Sequence, residues 1–585
     1  MKFSNQNIFL GIWLNEQYRE YFPLLTDRKC DFMNPEFLPV NKADVDKRGW
    51  DQLDVVIVTG DAYVDHSSFG AAVIGRILEH NGFRVGVIAM PDVADPNSIT
   101  TLGKPRLFFG VTSGNVDSML ANFTAFKMRR SDDPYAAGGK AGHRPNRALI
   151  NYCNLIKQVY KDVPIVIGGI EASMRRIAHY DFWSNRLRRS MLEDTRADAL
   201  VYGMGEKAIV EIADRLDCGK PLAGVDGTVI AQKKPPEGAI ILPSEETIMA
   251  SKNSFIEFYR QFYRYQHRVL VIPAGGRFLV HYPRAPMTTE ELDEIFRLPF
   301  TRLPHPQYRE TIPAYEMIKD SFISHRGCVS GCSFCALTLH QGKRIVSRSA
   351  EAVLSEIEQR VKQLDFKGHV KDIGGPSANN YQFNCRLDWR CNRESCTFPE
   401  LCSNLELNST DWLELLERAS KIQGVKKVTI GSGIRFDLLM LEADAQRLLT
   451  SLIRDHISGQ LKIAPEHSDP EVLRAMRKSL LFPLEQFIKI YNTINQHLNK
   501  KQHLIPYLMS CHPGEGKKQM AAMKLVMEQC FGMIPEQVQA FIPLPMTLSS
   551  VIYHTGEDPL TREKFFVEKD AGRRRRQHQI FFKKS

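Results

Sequence analysis

Long apolar runs are missing from this chain. The N-terminus offers one, Ile8 to Leu14, too short to span a bilayer and without a small-residue cleavage pattern behind it, so a cytoplasmic protein with no membrane partner is expected. Repeats with a period of roughly 20 to 50 residues are missing too, which argues against solenoids and propellers. Low-complexity sequence is confined to the basic run Arg573 to Arg576, read as solvated tail. Nor is there a large excess of one charge. The 77 Lys and Arg against 67 Asp and Glu leave +10 over 585 residues, compatible with a polyanionic partner without requiring one. With 43% hydrophobic and 25% charged residues, collagen-like, largely disordered and multi-span membrane classes are excluded. At ~150 residues per domain the length allows two to four domains with real cores.

What is present in the first half is alternation of strand and helix. Val55 to Val58 is a β-branched run ending at Gly60-Asp61; Phe69, Val73, Ile74, Ile77 and Leu78 follow at helical spacing, then Val85 to Ile88. This reads as a βαβ unit. Leu107 to Phe109, Ile165 to Ile167 before Gly168-Gly169, and Leu200 to Tyr202 before Gly203-Met204-Gly205-Glu206 read as further buried strands. The pattern predicts a parallel, doubly wound α/β sheet whose ligand positions lie at the carboxyl ends of its strands. Residues 234–248 and 283–313, rich in Pro, charge and turn residues, read as loops or linkers. From about residue 320 the alternation resumes with strands near 370–373, 428–430, 461–463, 504–509 and 538–541. About six β/α units predict a closed or partly closed parallel barrel with its chemistry at the strands' carboxyl ends.

Twelve cysteines in a reducing compartment suit metal ligands, catalytic thiols or core residues better than a disulfide framework. Seven fall between Cys328 and Cys402; Cys30, Cys153, Cys218, Cys511 and Cys530 stand apart and read as core fillers. Cys328, Cys332 and Cys335 are spaced CxxxCxxC, with Gly327 and Gly331 between and before them. Three thiolates on one short loop can wrap a compact soft-metal centre, and the glycines let the backbone turn tightly. A structural zinc site calls for a fourth ligand. A [4Fe-4S] cluster on three cysteines leaves one iron open.

This triplet, with Phe334 before the last cysteine, resembles the signature of the radical S-adenosylmethionine (SAM) superfamily over roughly residues 318–560. The resemblance implies that Cys328, Cys332 and Cys335 hold the cluster and that SAM chelates the open iron. One electron then yields methionine and a 5′-deoxyadenosyl radical. It further implies SAM contacts from Gly374 and Gly375, where Pro376 replaces an acidic residue often found there, from Ser432 and Arg435, and from Glu466. The order of an α/β region, the triplet, Asp372 to Asn379, the Cys385 to Cys402 group, Pro513-Gly514-Glu515 and Tyr553 to Gly556 is similar to the YgiQ family of bacterial radical SAM proteins. Members of that family extend further at the C-terminus, so a short form is expected. The implied organisation is an N-terminal cobalamin-binding-like α/β domain at 1–290, a linker at 291–317, a radical SAM barrel with a partial (β/α)6 architecture at 318–560 and a basic tail at 561–585. Asp65-His66 does not reproduce the motif used for axial ligation of cobalt, and cobalamin is not expected.

A second group, Cys385, Cys391, Cys396 and Cys402, has the pattern C-x5-C-x4-C-x5-C, suited to zinc or an auxiliary iron-sulfur cluster. A flavodoxin or ferredoxin is the expected electron donor. Two alternatives stand beside a radical SAM enzyme of open substrate. One is a non-catalytic iron-sulfur or electron-transfer protein. The other is an RNA-modifying enzyme using the basic groups Arg186 to Arg189 and Arg573 to Arg576.

Overall fold

Val55–Thr59 is buried along its whole length, which is why it reads as unbroken β-branched residues without polar alternation. In the computed structural model, which describes residues 36–387, 390–479, 481–532, 534 and 538–582, it lies parallel to Val85–Ala89 and to Phe108–Thr112. Ile165–Gly168 and Ala199–Val201 continue the parallel set. Counted along the chain, these five strands stand in the order 2-1-3-4-5, a doubly wound order that reverses between Val55–Thr59 and Phe108–Thr112. The apolar run Ile8 to Leu14 and Cys30 lie outside the described residues.

Beyond Ala199–Val201 the expectation of an all-parallel sheet gives way. Thr228–Gln232, Arg277–His281 and Leu270–Ala274 add as antiparallel neighbours, with Ile240–Ile241 at the edge. The cause is local. Gly275 and Gly276 both hold positive φ, the two-residue turn that folds its flanking strands back on each other.

The second set of strands forms an open parallel barrel. Ser321–Ile323 pairs with Asp372–Gly374, and His369–Val370 with Lys427–Val428. A parallel bridge from Ile434 to Ile463 leads to Gln460–Glu466, His503–Ser510 and Val538–Ala540. Helices Ala350–Val361, Ser409–Ser420, Leu484–His497 and Lys517–Phe531 separate them. Their apolar faces bury Val353, Ile357, Trp412, Leu416, Phe487 and Met520 in one core. Trp412 also donates its indole N–H to the Ile373 carbonyl at 3.1 Å, tying helix to strand.

Three expectations need correcting. The stretch 283–313 contains the helix Thr289–Arg297, closed by a reciprocal capping box between Thr288 and Glu291 and held by buried Leu292, Ile295 and Phe296. The 291–317 linker further contains the start of helix Pro313–Ile318. Likewise 234–248 includes Ile240–Ile241 and the start of helix Glu245–Ala250. The basic tail at 561–585 is a helix over Ala571–Phe582 with Arg574, Gln577 and Phe581 buried. Arg574 donates to the carbonyls of Ala125 at 3.3 Å and of Phe541, and its guanidinium lies over Phe182 and Tyr553. Phe541, Leu548, Val551 and Tyr553 belong to the core of the first sheet. Of the isolated cysteines, Cys153 and Cys511 are buried, Cys530 is half-buried and Cys218 is exposed, so core filling accounts for only part of that set.

Candidate metal centre

The segment Ser321–Ile323 delivers the chain to the barrel mouth, where His325–Arg326 pairs with Val346–Ser347 and the cysteine loop begins. Gly327 and Gly331 hold φ +93° and +59°, in the left-handed region that glycine enters without a Cβ penalty. A Cβ on Gly327 would overlap the Arg344 carbonyl, and one on Gly331 the Glu394 carbonyl. The loop is pinned on both sides: Cys328 N–H donates to Gly342 O at 3.1 Å, Ser333 N–H to Met476 O at 2.9 Å, and Ser333 Oγ to Ala475 O at 2.7 Å. Burial pushes the Cys332 and Cys335 thiols up to about 11 and about 12, with neighbouring thiols adding to the rise. Without a cation, such thiols stay protonated.

Among the described residues no three His, Cys, Asp or Glu side chains converge closely enough to hold a single metal ion. A four-iron cluster does not ask for that, because each thiolate binds a different iron. The donor set fits such a cluster: three soft ligands on one short loop, Cys328 buried and Cys332 and Cys335 half-buried, with cationic Lys478 and Arg435 near Cys332 to favour the thiolate form.

The residues predicted to contact SAM lie around this loop with differing freedom. Arg435 is buried, and its fork holds Asp437 at 2.6 and 2.7 Å, while Nη1 donates to Ser330 Oγ. That guanidinium clamps the cysteine loop rather than presenting an open fork to a carboxylate. Ser432 donates its hydroxyl to Asp372 Oδ2, and Asp372 also accepts from the N–H groups of Gly431 and Ser432 at 2.9 and 3.0 Å. A Cβ on Gly375 would lie 2.6 Å from the His325 ring, and one on Gly374 3.0 Å from Ser432 Oγ. Gly375 is therefore required by the chain itself, the His325 carbonyl lying 2.8 Å from that Cβ position, while a side chain at Gly374 would have to displace Ser432. Glu466 ends its strand at φ +68°, a costly conformation for a carboxylate residue, and sits 3.3 Å from Lys478 Nζ. Ser330, Lys478, Asp437 and Asp372 escaped the sequence reading of roles; none carries a spacing signal.

Behind the loop, Ser333 Oγ meets Ser549 Oγ at 2.7 Å, and Ser549 meets His512 Nε2 at 2.7 Å. His467 Nε2 faces Glu515 Oε2 at 3.7 Å, both fully buried. His467 Nδ1 accepts from the Asp469 N–H, which leaves Nε2 as its N–H. Burial raises Glu515 to about 7 and lowers His467 to about 4, so the pair is largely neutral between those two values.

Cys385, Cys391, Cys396 and Cys402 all line one cavity of about 170 Å³. Burial lifts the Cys396 thiol to about 11, opposed by Lys343 and reinforced by the other three. The insertion abuts the first loop: Cys396 N–H donates to Val329 O at 2.9 Å and Ser395 Oγ to Ser330 O.

At the switch point of the first sheet, Arg144 fills the crevice where a ligand of such a sheet binds. It pairs with Asp61 at 2.8 Å and Asp133 at 3.0 Å and donates to Ser113 O. His66 is buried and accepts from the Ser68 N–H at 3.0 Å. Further along the same strand ends, His340 from the helix after the triplet meets Ser173 Oγ at 2.9 Å. Of the basic groups behind the RNA alternative, Arg574 lies in the core and half-buried Arg188 pairs with Asp194, whereas Arg186, Arg189, Arg573, Arg575 and Arg576 are exposed, Arg189 beside Glu246 and Arg573 beside Glu568.

A family model described as Radical SAM N-terminal matches residues 37–321, and one for a domain of unknown function, DUF3362, matches 536–584. A UPF0313 protein of Clostridium botulinum (strain 657 / Type Ba4) is 46% identical over 94% of this chain and 88% of its own length. One from Methanocella arvoryzae is 45% identical over 92% and 91%, and one from Geobacter sulfurreducens 45% over 89% and 88%. Among solved structures, the radical SAM methyltransferase TsrM from Kitasatospora setae, with tryptophan substrate and a SAM analog bound, is 14% identical. It covers 84% of this chain and 75% of its own, at a TM-score of 0.49. A second TsrM structure, with cobalamin and a [4Fe-4S] cluster, gives the same identity and TM-score. That likeness is too loose to transfer any chemistry.

Proposed function

Because the chain belongs to the UPF0313 family of radical SAM proteins, we propose that it is an enzyme that binds a [4Fe-4S] cluster on Cys328, Cys332 and Cys335 and reductively cleaves SAM. The observation that carries this reading is the cysteine loop at the mouth of the second barrel: three thiols on a turn that two glycines alone permit. When bound, the cluster supplies an open iron for SAM and the electron that releases methionine and a 5′-deoxyadenosyl radical.

The protein's part is to place and shield that chemistry. Arg435, held by Asp437, fixes Ser330 and thereby the loop. Lys478 and Arg435 offset thiolate charge at Cys332. Gly374, Gly375 and Ser432 present backbone and hydroxyl groups at adjacent strand ends, and Glu466 offers a carboxylate beside the loop for SAM's ammonium or ribose hydroxyls. The electron comes from a flavodoxin- or ferredoxin-class donor. Anaerobic reconstitution, followed by iron and sulfide analysis and assay for 5′-deoxyadenosine under reducing conditions, tests the reading. Formation of 5′-deoxyadenosine by wild type and its loss in Cys328→Ala, Cys332→Ala and Cys335→Ala is expected; cleavage undiminished in any of these variants overturns it.

A further inference from the structure

Four thiols outside the Cys328, Cys332 and Cys335 triplet converge on one cavity. Cys385, Cys391, Cys396 and Cys402 line it, and its volume of about 170 Å³ leaves room for far more than one ion. Its charge is one-sided. Arg176 and Arg284 reach it from the first sheet's side; Lys343, Arg344 and Arg393 reach it from the barrel; Glu394 is the single carboxylate in its lining. The hydrogen bonds of these cations go to carbonyls: Arg176 to Ser173, Arg284 to Gln341, Lys343 to Cys391, Arg344 to Leu387 and Arg393 to Glu400. Carbonyls satisfy donors without neutralising charge, and Arg176 is almost fully buried. The rings of Tyr202 and Phe262 under the Arg176 guanidinium offset part of its burial cost, but they add no negative charge, so the cavity's net positive lining suits an anion.

We propose that Cys385, Cys391, Cys396 and Cys402 hold an auxiliary [4Fe-4S] cluster in this cavity. Four thiolates on such a core carry net negative charge, which the surrounding cations offset. Zinc requires four ligands drawn to about 2.3 Å of one point; no three ligand side chains among the described residues converge that closely. With every iron held by the protein, this second centre has no open position for SAM. It stands one backbone hydrogen bond, Cys396 N–H to Val329 O, from the loop that does.

The test compares wild type with two variants, Cys328→Ala/Cys332→Ala/Cys335→Ala and Cys385→Ser/Cys391→Ser/Cys396→Ser/Cys402→Ser, after anaerobic reconstitution. Wild type is expected to bind ~8 iron and ~8 sulfide per chain, and the triple variant ~4 of each with a reducible cluster signal by electron paramagnetic resonance. Wild type at ~4 iron with an empty triple variant overturns the proposal, as does one zinc per chain retained by the triple variant. Failure of the radical SAM reading looks different: the quadruple variant is empty while the triple variant keeps its cluster. Because the triple variant leaves the second group intact, the result does not depend on the quadruple variant folding.

Discussion

Gly331 occupies a position where φ is +59° and the Glu394 carbonyl fills the place of a Cβ. Gly331→Ala therefore combines left-handed strain, about 1–3 kcal/mol, with a backbone clash. It should strip the first cluster while leaving far-UV circular dichroism unchanged; full iron content in the variant would show that the loop has another way to turn. Arg435 and Glu466 separate by the same kind of reasoning. Arg435 touches the loop through Ser330, so Arg435→Ala should lower cluster retention. Glu466→Ala should keep the cluster and weaken SAM binding by roughly 10- to 150-fold, the loss of one charge-assisted contact of about 1.5–3 kcal/mol. Equal iron and equal SAM affinity in both variants would remove these assignments. Glu515 supplies a pH test. Burial raises its carboxyl to about 7, so between its ordinary value and 7 the folded state holds a proton that the unfolded state releases. That stabilisation is complete below about pH 4 and is lost as pH rises through 7. Relative to Glu515→Gln, wild type should lose on the order of 3 kcal/mol between pH 5 and 8. Parallel denaturation profiles for the two proteins would contradict this.

Helix Ala571–Phe582 shows how an element with a polar sequence becomes structural. Its apolar content is small, yet Phe581 is fully buried in the barrel core, Gln577 donates to Glu515 at 2.8 Å, and Arg574 bridges to Ala125 and Phe541. Four consecutive arginines read as solvated charge because nothing local shows which one turns inward. Phe581→Ala should cost about 3–5 kcal/mol, the range for emptying a buried phenyl site, seen as a lower urea midpoint; an unchanged midpoint would mean the helix is dispensable. By contrast, helix Thr289–Arg297 carries a local signal that the reading of 283–313 as a loop passed over. Thr288-Thr289-Glu290-Glu291 before an apolar run is a capping box, and the prolines around it masked that signal.

Across the whole molecule the two sheets are tied through the cysteine loop. His340, five residues past Cys335, reaches Ser173, and Arg326, two before Cys328, pairs with Glu206 at 2.6 Å. Phe334 and Leu339 pack on the first sheet's core. Removing the cluster should therefore loosen contacts on both sides of the loop. We expect the cluster-free protein to unfold at a lower temperature than the loaded protein, with the loss shared by both sheets. Hydrogen exchange that rises only around residues 327–342 on cluster removal would show that the sheets are uncoupled.

The parallel strands of the first sheet were readable in the linear chain because burial on both faces leaves continuous β-branched runs, and the barrel strands because short apolar segments, alternating in burial in Gln460–Glu466 and His503–Ser510, are separated by helical spacing. The triplet was readable too, since its three ligands and two glycines lie within nine consecutive residues and their chemistry is local. Within the antiparallel extension, Gly275-Gly276 marks the hairpin of Leu270–Ala274 with Arg277–His281. Tertiary structure alone decided that Arg435 clamps a loop, that Arg144 fills the switch-point crevice, that one arginine of four is core, and that four widely spaced cysteines share a cavity with unneutralised cations. Each of these depends on groups far apart in the chain. Long-range contacts set a side chain's partners and its solvation, and neither leaves a periodic trace in the sequence.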